Sequence, residues 1–550
     1  MISRPNILTF ILSTAASIVV LVATLFYQPA PKSSLPFSSP ANTLKPIPPA
    51  PVKFHDVTLN WRVSSSHQQT SKHLSALTET LGGGICAIDV NKDGWVDLFF
   101  IGGSGHNRHY GKKSWWNKTQ GNQLLLNRQG RYFEDVTEQA GLQIPIWGMS
   151  CAVADFDNNT FPDLIVTGLG KNLIFKNNGD LTFSDITDTS NITNDHWSTG
   201  ANLADFNGDG LIDIYISNYI LFEKGSRTFE RTSGFQTSSN IAFDHTLYDP
   251  EPNRLYINRG NFQFEEIGDS MGVANFLGRS LGARWVDVNT DSWPDLLVIN
   301  DHNTPNQLFI NEQGKTFSRS GDHYAALEIA GAHDVAINNF DNKEKPSFFI
   351  SRGMGHPPAL LTAGQSSYTD EAWPRGLAQA RLLAFSGWAS TAADFNNDGF
   401  LDIYVANGNT SPDIDSHFVS QAQTNSLFIN NGNGDFTLQP PSSDSLHPYS
   451  SRGVINVDLN NDGQLEIVVS NNNDALQIFE NRSLTKNWIG LDLHASFTDA
   501  DIYGAELIIK TEKQTIHRTL QSPQAFLSQR DNRVHIGLGN AIKINELSIN

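Results

Sequence analysis

The chain has 550 residues, with 57 acidic against 38 basic side chains and a formal charge of −19. That balance argues against DNA or RNA as a partner, since a nucleic-acid surface wants a basic face. Two cysteines in the whole chain exclude a disulfide framework as the main source of stability.

The first predicted element is apolar. Arg4 precedes 21 uncharged residues, Ile7 to Tyr27, and a helix of them, at about 1.5 Å per residue, matches the roughly 30 Å bilayer core. The flank FYQPAPK is a poor small-x-small cleavage site. Residues 1–28 are therefore expected to be a single-pass membrane anchor, with a cleaved signal sequence as the alternative. Either one exports the rest, to a periplasmic or extracellular location or, if cleaved, as a secreted protein. Residues 29–52 are a Pro/Ser-rich tether not expected to fold.

From residue 53 a repeat takes over. A nine-residue acidic loop recurs as DVNKDGWVD (89–97), DFDNNTFPD (155–163), DFNGDGLID (205–213), DVNTDSWPD (287–295), DFNNDGFLD (394–402) and DLNNDGQLE (458–466). A further copy, NFDNKEKPS (339–347), keeps the frame and loses the chemistry, with Lys343 at a ligand position and Ser347 in place of the last acid. The period of about 50–80 residues is that of a propeller or solenoid. Each loop is followed by a β-branched and aromatic run such as DIYISN (213–218), then by a second such as NRLYINRG (253–260) with a hairpin turn. A closing strand of the RYFEDVT type (131–137) ends the unit. Four antiparallel strands make one propeller blade, so residues 53–485 are expected to form an all-β, seven-bladed β-propeller. The last unit lacks its closing strand, and KFHDVT (53–58) supplies one ahead of the first loop. The N-terminal strand is therefore expected to close the last blade and remove the open edges.

Cys86 and Cys151 stand three and four residues before their acidic loops. If the two strands are in register the side chains face opposite ways, which predicts two buried free thiols rather than a disulfide.

The loop pattern D-x-[DN]-x-[DN]-G converges oxygens from positions 1, 3 and 5, a backbone carbonyl from position 7 and a carboxylate from position 9 on one point, the arrangement Ca²⁺ takes. The ligand sets are Asp89, Asn91, Asp93, Trp95 and Asp97; Asp155, Asp157, Asn159, Phe161 and Asp163; and Asp205, Asn207, Asp209, Leu211 and Asp213. The later three are Asp287, Asn289, Asp291, Trp293 and Asp295; Asp394, Asn396, Asp398, Phe400 and Asp402; and Asp458, Asn460, Asp462, Gln464 and Glu466. The position-7 residues contribute through their carbonyls. Thr160 and Ser292 replace the turn glycine, which predicts weaker sites there, and Lys343 is expected to stand in for an ion in the fifth copy. Eighteen carboxylates lie in these loops, so about six bound Ca²⁺ would bring the charge from −19 to about −7.

The repeats, DFNGDGLIDIYISN with a LYIN-type strand and F-x-D-V-T, resemble FG-GAP/VCBS repeats, the blades of integrin-α-like propellers. The tail, residues 486–550, is similar to the ASPIC/UnbV domain, with Gly504-Ala505, Ser528-Gln529 and His535-Ile536-Gly537-Leu538-Gly539 at its markers. A small C-terminal β domain is expected there. The pairing of the two modules resembles the cartilage acidic protein family and its bacterial relatives, and implies calcium-dependent extracellular binding or adhesion rather than a known reaction.

In an antiparallel blade the connections between second and third strands lie opposite the acidic loops. The first, 103–120, joins His106, His109, Tyr110, Trp115 and Trp116 with basic residues, a composition suited to a glycan or protein partner. Packing of the two tryptophans onto the blade is the competing reading. No G-x-S-x-G, H-E-x-x-H, P-loop or C-x-x-C-H occurs. Two alternatives to a binding module stay open: a propeller enzyme with chemistry at the channel or loop face, and a structural subunit of an envelope complex.

Overall fold

The computed structural model describes residues 6–14, 17–25, 51–67, 77–103, 121–144, 146–192, 196–222, 248–301, 304–364, 367–410, 422–441, 447–484, 486–494 and 503–550. The regular structure in them is almost entirely β-strand, with helix confined to short turns such as Thr137–Ala140.

The repeat unit is a four-stranded antiparallel sheet. The third one runs Ser198–Ala204, Asp213–Asn218, Arg254–Asn258 and Phe264–Glu266, with Ile214 opposite Tyr256 and Tyr256 opposite Glu266. Its acidic loop joins the first two strands. The first two strands are buried along their whole length, whereas the fourth buries only its first residue. Unbroken runs such as DIYISN fit a strand covered on both faces, because successive sheets stack face to face. Six sheets of this kind occur among the described residues, and the same four-stranded unit recurs once more within a six-stranded sheet. Their first strands are Ile85–Ile88, Trp147–Ala154, Ser198–Ala204, Ser280–Val286, Ala332–Asn338, Gly387–Ala393 and Ser451–Val457. Each touches the next, and the last touches the first. The units are numbered 1 to 7 in that order.

The ring is closed by the strand before unit 1. Phe54–Asp56 pairs with Gln477–Asn481 in unit 7, with Phe54 opposite Asn481, as the repeat arithmetic of the sequence expects. This removes two free sheet edges.

The tail has its own small core, built on Ile489, Leu507, Ile509, Ile516, Ile536 and Leu538. It is not free-standing. A finger, residues 521–530, leaves it and enters the space ringed by the first strands. Ser528–Gln529 adds to unit 1 as a parallel strand, with Gln529 opposite Cys86. Phe526 packs on Trp388 of unit 6 at 5.1 Å between ring centres. Gly84 and Gly453 make room for it, since a side chain at Gly84 would meet the Leu527 carbonyl and one at Gly453 the Ser528 hydroxyl.

Two expectations are corrected. Residues 6–14 and 17–25 are strands rather than helix: Asn6–Thr14 and Ser17–Leu25 pair antiparallel, and the second also pairs with Leu493–His494. No helix among the described residues is long and apolar enough to cross a membrane. The run is rich in Ile, Val, Thr and Phe, whose branched or aromatic side chains fit a pleated strand at least as well as a helix. Cys86 and Cys151 are joined as a disulfide, with Cα atoms 6.0 Å apart. Within one sheet, side chains that face opposite ways cannot meet. These strands belong to stacked sheets, where the right face of one unit meets the left face of the next, so opposite orientation brings the thiols together.

Candidate metal centres

Six loops share one backbone. Their fourth residue is left-handed in every case (Lys92, Asn158, Gly208, Thr290, Asn397 and Asn461), and so is the sixth (Gly94, Thr160, Gly210, Ser292, Gly399 and Gly463). Thr160 at φ 77° and Ser292 at φ 71° hold the same turn as the glycines they replace. The chain thus accepts a strained residue, at a cost of roughly 1–2 kcal/mol, rather than change the loop.

The turn wraps around the first aspartate. Asp89 accepts the N–H groups of Asp93 at 3.1 Å and Gly94 at 2.8 Å. Asp205 does the same with Gly208, Asp209 and Gly210. The fifth-position oxygen takes the N–H of position 7, as in Asp93 with Trp95 and Asp398 with Phe400. Side chains at position 7 lie over hairpin glycines of the same unit: Trp95 on Gly130, Phe161 on Gly179 and Trp293 on Gly314.

The ninth position is the anchor. Asp97, Asp163, Asp213, Asp295, Asp402 and Glu466 are all 0% exposed. One oxygen accepts the N–H of loop position 2, as in Asp402 with Phe395 at 3.1 Å. For the five aspartates the other oxygen accepts an N–H from the third strand, as in Asp402 with Asn430 at 2.8 Å. Burial pushes these acids up, with neighbouring loop carboxylates adding to the effect and backbone N–H groups opposing it. Asp97 rises to about 8, Asp163 and Asp295 to about 7, and Asp213, Asp402 and Glu466 well above the carboxylate range. Asp394 reaches about 7 and Asp458 about 6 for the same leading cause. Buried acids crowded in this way are an electrostatic debt that a bound cation cancels.

The donor set fits a hard divalent ion. In the second loop the carboxylates of Asp155, Asp157 and Asp163 approach within 4.8 Å of one another. Asp157 binds Lys176 through one oxygen, and its other oxygen is buried without a hydrogen-bond partner. Thus the closest carboxylate triad among the described residues belongs to a loop in which threonine replaces the glycine. An ion there would be held by oxygen ligands alone and would supply the positive charge these side chains lack.

The sequence reading missed the asparagines that end the third strands. Asn127, Asn177, Asn258, Asn311, Asn430 and Asn481 are nearly fully buried. Each donates its amide across the unit boundary to the position-2 carbonyl of the preceding loop: Leu459, Val90, Phe156, Phe206, Phe340 and Phe395 respectively. Their signal was the recurrent final Asn of LLLN, IFKN, LYIN, LFIN and IFEN, visible as a strand signature but not as a contact. Unit 5 breaks this ring. Ala363 ends its third strand, and Ser347 stands where the buried carboxylate belongs.

The fifth copy is held together differently. Asn339, at ligand position 1, donates to the carbonyls of Lys343 and Glu344. Its amide oxygen accepts the N–H of Thr519 from the tail at 2.6 Å. Arg518 donates to Asn342 Oδ1 and to the Gly399 carbonyl of the next loop. Lys343 pairs with Asp341 at 2.8 Å while its side chain stays 73% exposed. The expected lysine therefore sits at the loop's rim, and the tail's Arg518 and Thr519 occupy its inner side.

The tail rests on units 6 and 7 in the same way. Gly539 donates to the Asn397 carbonyl, His535 Nε2 lies 2.6 Å from Asn397 Oδ1, and Gln514 reaches the Asp398 carbonyl. Arg533 donates to Asn461 Oδ1 and the Asp458 carbonyl, and Trp488 covers Gly463. A side chain at Gly537 would strike Asp394 and Asn397. The candidate ligand-binding residues His106, His109, Tyr110, Trp115 and Trp116 lie outside the described residues.

Comparison with known proteins agrees with this architecture. The FG-GAP-like repeat model matches residues 89–166, 159–216 and 394–469, and the ASPIC and UnbV model matches residues 497–550. Mouse cartilage acidic protein 1 is 23% identical over 403 residues, which cover 70% of this chain and 56% of that protein. The human protein is 24% identical over 351 residues, covering 61% and 47%. The chain thus spans about half the length of the curated relatives it matches. Among solved structures, an Agrocybe aegerita lectin described as recognising non-reducing terminal N-acetylglucosamine aligns with 13% identity and a TM-score of 0.40, covering 76% of this chain and 96% of that one. A chain of the BBS1N complex with ARL6DN gives 8%, 0.39, 76% and 96%. This chain carries FG-GAP-like repeats followed by an ASPIC/UnbV domain, and it is homologous to cartilage acidic protein 1.

Proposed function

We propose that the chain is an exported, calcium-cemented propeller that serves as a binding or adhesion module for an extracellular or envelope protein or a glycan. The observation that carries the calcium part is the burial of six ninth-position carboxylates, each 0% exposed and packed beside further loop acids. Such groups need a counter-charge, and oxygen-only ligand sets select Ca²⁺ over softer metals. The apolar run Ile7–Tyr27 supports export, and a disulfide belongs to an oxidising compartment.

The closed channel favours binding over catalysis at the ring centre. The finger leaves a cavity of about 40 Å³ between itself and the wall, lined by Arg284, Asn338, Thr391, Ser522, Gln524 and Arg530. Ligand sites are roughly 300–1,000 Å³. A partner is therefore met by loops on the rigid ring rather than inside it.

Calcium titration into the EDTA-stripped protein, with bound-metal stoichiometry and melting temperature followed together, tests the reading. Six ions and a large upward shift are expected. At a Kd near 0.1 mM and 1 mM calcium, linkage adds about 1.4 kcal/mol per site, or about 8 kcal/mol for six. Unchanged melting with no bound metal would reduce the loops to turns.

A further inference from the structure

The tail makes its hydrogen bonds to the ring at the acidic loops and at the channel wall, and these two contact sets are joined by a short connection. At the loops it uses groups other than the expected ligand oxygens: the backbone carbonyls of Asn397, Asp398, Gly399 and Asp458 and the side-chain amides of Asn397 and Asn461. At the wall, Ser528 Oγ accepts the N–H of Ile85, Gln529 bonds both the N–H and the carbonyl of Val153, and Ser522 Oγ reaches the Leu203 carbonyl. Residues 530–533 connect Gln529 in the channel to the strand Val534–Gly539 on the sixth loop. A change in the loop backbone is therefore transmitted to the finger over a few residues.

Resting on the calcium reading above, we propose that the C-terminal domain is an ion-sensitive latch: occupancy of the loops of units 6 and 7 holds the finger in the channel, and ion loss releases it. The carbonyls and amides that the tail grips sit in the turn that contains the loop's two left-handed residues, Asn397 with Gly399 and Asn461 with Gly463. An ion that fixes this backbone presents the docking groups in place. Without it the acids of the loop repel one another and the turn relaxes. Glu466 supports a cation at the seventh loop independently of the acidic cluster, because it is 0% exposed and its Oε1 makes no hydrogen bond of normal geometry. The fifth loop is the fixed end of the latch. There Thr519 and Arg518 dock on Asn339 and Asn342, in a loop that keeps Asp341 but has Asn339, Lys343 and Ser347 at the other side-chain ligand positions, so that contact is independent of calcium.

Hydrogen exchange of the full chain, read by mass spectrometry on peptides covering 521–530, tests the latch. The variant is Asp398→Ala with Asp462→Ala, which removes the position-5 oxygen from each loop; among the described residues the tail pairs with these side chains through Lys486, 3.8 Å from Asp398. Asp209→Ala, in a loop that the tail does not touch by any described hydrogen bond, is the control. In saturating calcium the double variant is expected to lose about two ions and to exchange the finger amides at least about tenfold faster, while the control loses one ion and keeps the finger protected. Loss of two ions with finger exchange unchanged overturns the latch and leaves the calcium reading intact. No bound ions in the unaltered protein overturns both. Should the double variant unfold as a whole, reciprocity decides. Ser528→Ala with Gln529→Ala, made at residues that bond the first strands of units 1 and 2 and not the sixth or seventh loop, is expected to weaken two of the six calcium sites by about fivefold or more, and six unaltered affinities would overturn the coupling.

Discussion

The loops of units 5 and 6 lie side by side, share one frame and have parted chemically. Residues 394–402 keep Asp394, Asp398 and Asp402, with Asp402 at 0% exposure. Residues 339–347 have Asn339, Lys343 and Ser347 at the same positions. The loss is not confined to the loop. The third strand of unit 5 ends in Ala363 where unit 6 has Asn430, so the buried acid and its asparagine partner disappear together. That pairing shows what the acid does besides offering oxygen to an ion: it fixes the N–H of Asn430, whose side chain then bridges to the carbonyl of Phe340 in unit 5. Where the ion frame is lost, the tail supplies replacement contacts through Thr519 and Arg518.

The sharpest way to break this comparison is to remove the anchor from each loop. Asp402→Ala leaves the N–H groups of Phe395 and Asn430 buried without an acceptor, and a loss of about 3–5 kcal/mol is expected. Ser347→Ala at the equivalent position is expected to cost less than about 1 kcal/mol. Denaturant unfolding at saturating calcium measures both, and equal losses would mean that the acid is ordinary packing.

A smaller effect separates the two loops by pH. His535 on the sixth loop is held down to about 3 by burial, with Arg518 and Arg533 adding to it, and His67 is held at about 4 by burial and Arg452. Both are depressed below the unfolded value of 6.5, so the folded state binds fewer protons. Their contribution is complete above pH 6.5 and is lost as pH falls toward the folded values. At pH 5 each is expected to cost about 2 kcal/mol relative to pH 7. His535→Gln should flatten that slope by about half, and an unchanged slope would place the acid sensitivity elsewhere.

The smallest expected change is a gain. Thr160→Gly and Ser292→Gly relieve a left-handed residue at the sixth loop position, offset by the freedom glycine adds to the unfolded chain, for a net stabilisation under about 1 kcal/mol each. Because the second and fourth loops already hold the required turn, their calcium affinity is expected to rise only slightly. A tenfold rise would mean that the side chain, not the backbone, limits the site.

The repeat, the position of every acidic loop and the ring-closing role of residues 53–58 were legible because each rests on local chemistry. Strand runs, hairpin turns and ligand spacing are written within nine to fifteen consecutive residues. Six asparagines were legible as a strand ending and not as bridges, since their acceptors lie in the preceding unit, as with Asn258 and Phe156. The same distance hid the disulfide: spacing to the nearest loop gives the face of a strand, and only the stacking of two sheets says which faces meet. The apolar run at 6–25 is a balance that composition alone leaves even, and pairing with Leu493–His494 decides it for strands. Sequence by itself determined the units and their chemistry, because these depend on near neighbours. Tertiary structure decided the finger in the channel, the cross-unit bridges and the tail's grip on the sixth and seventh loops, because each joins backbone groups that are identical in every residue and carry no mark in the sequence.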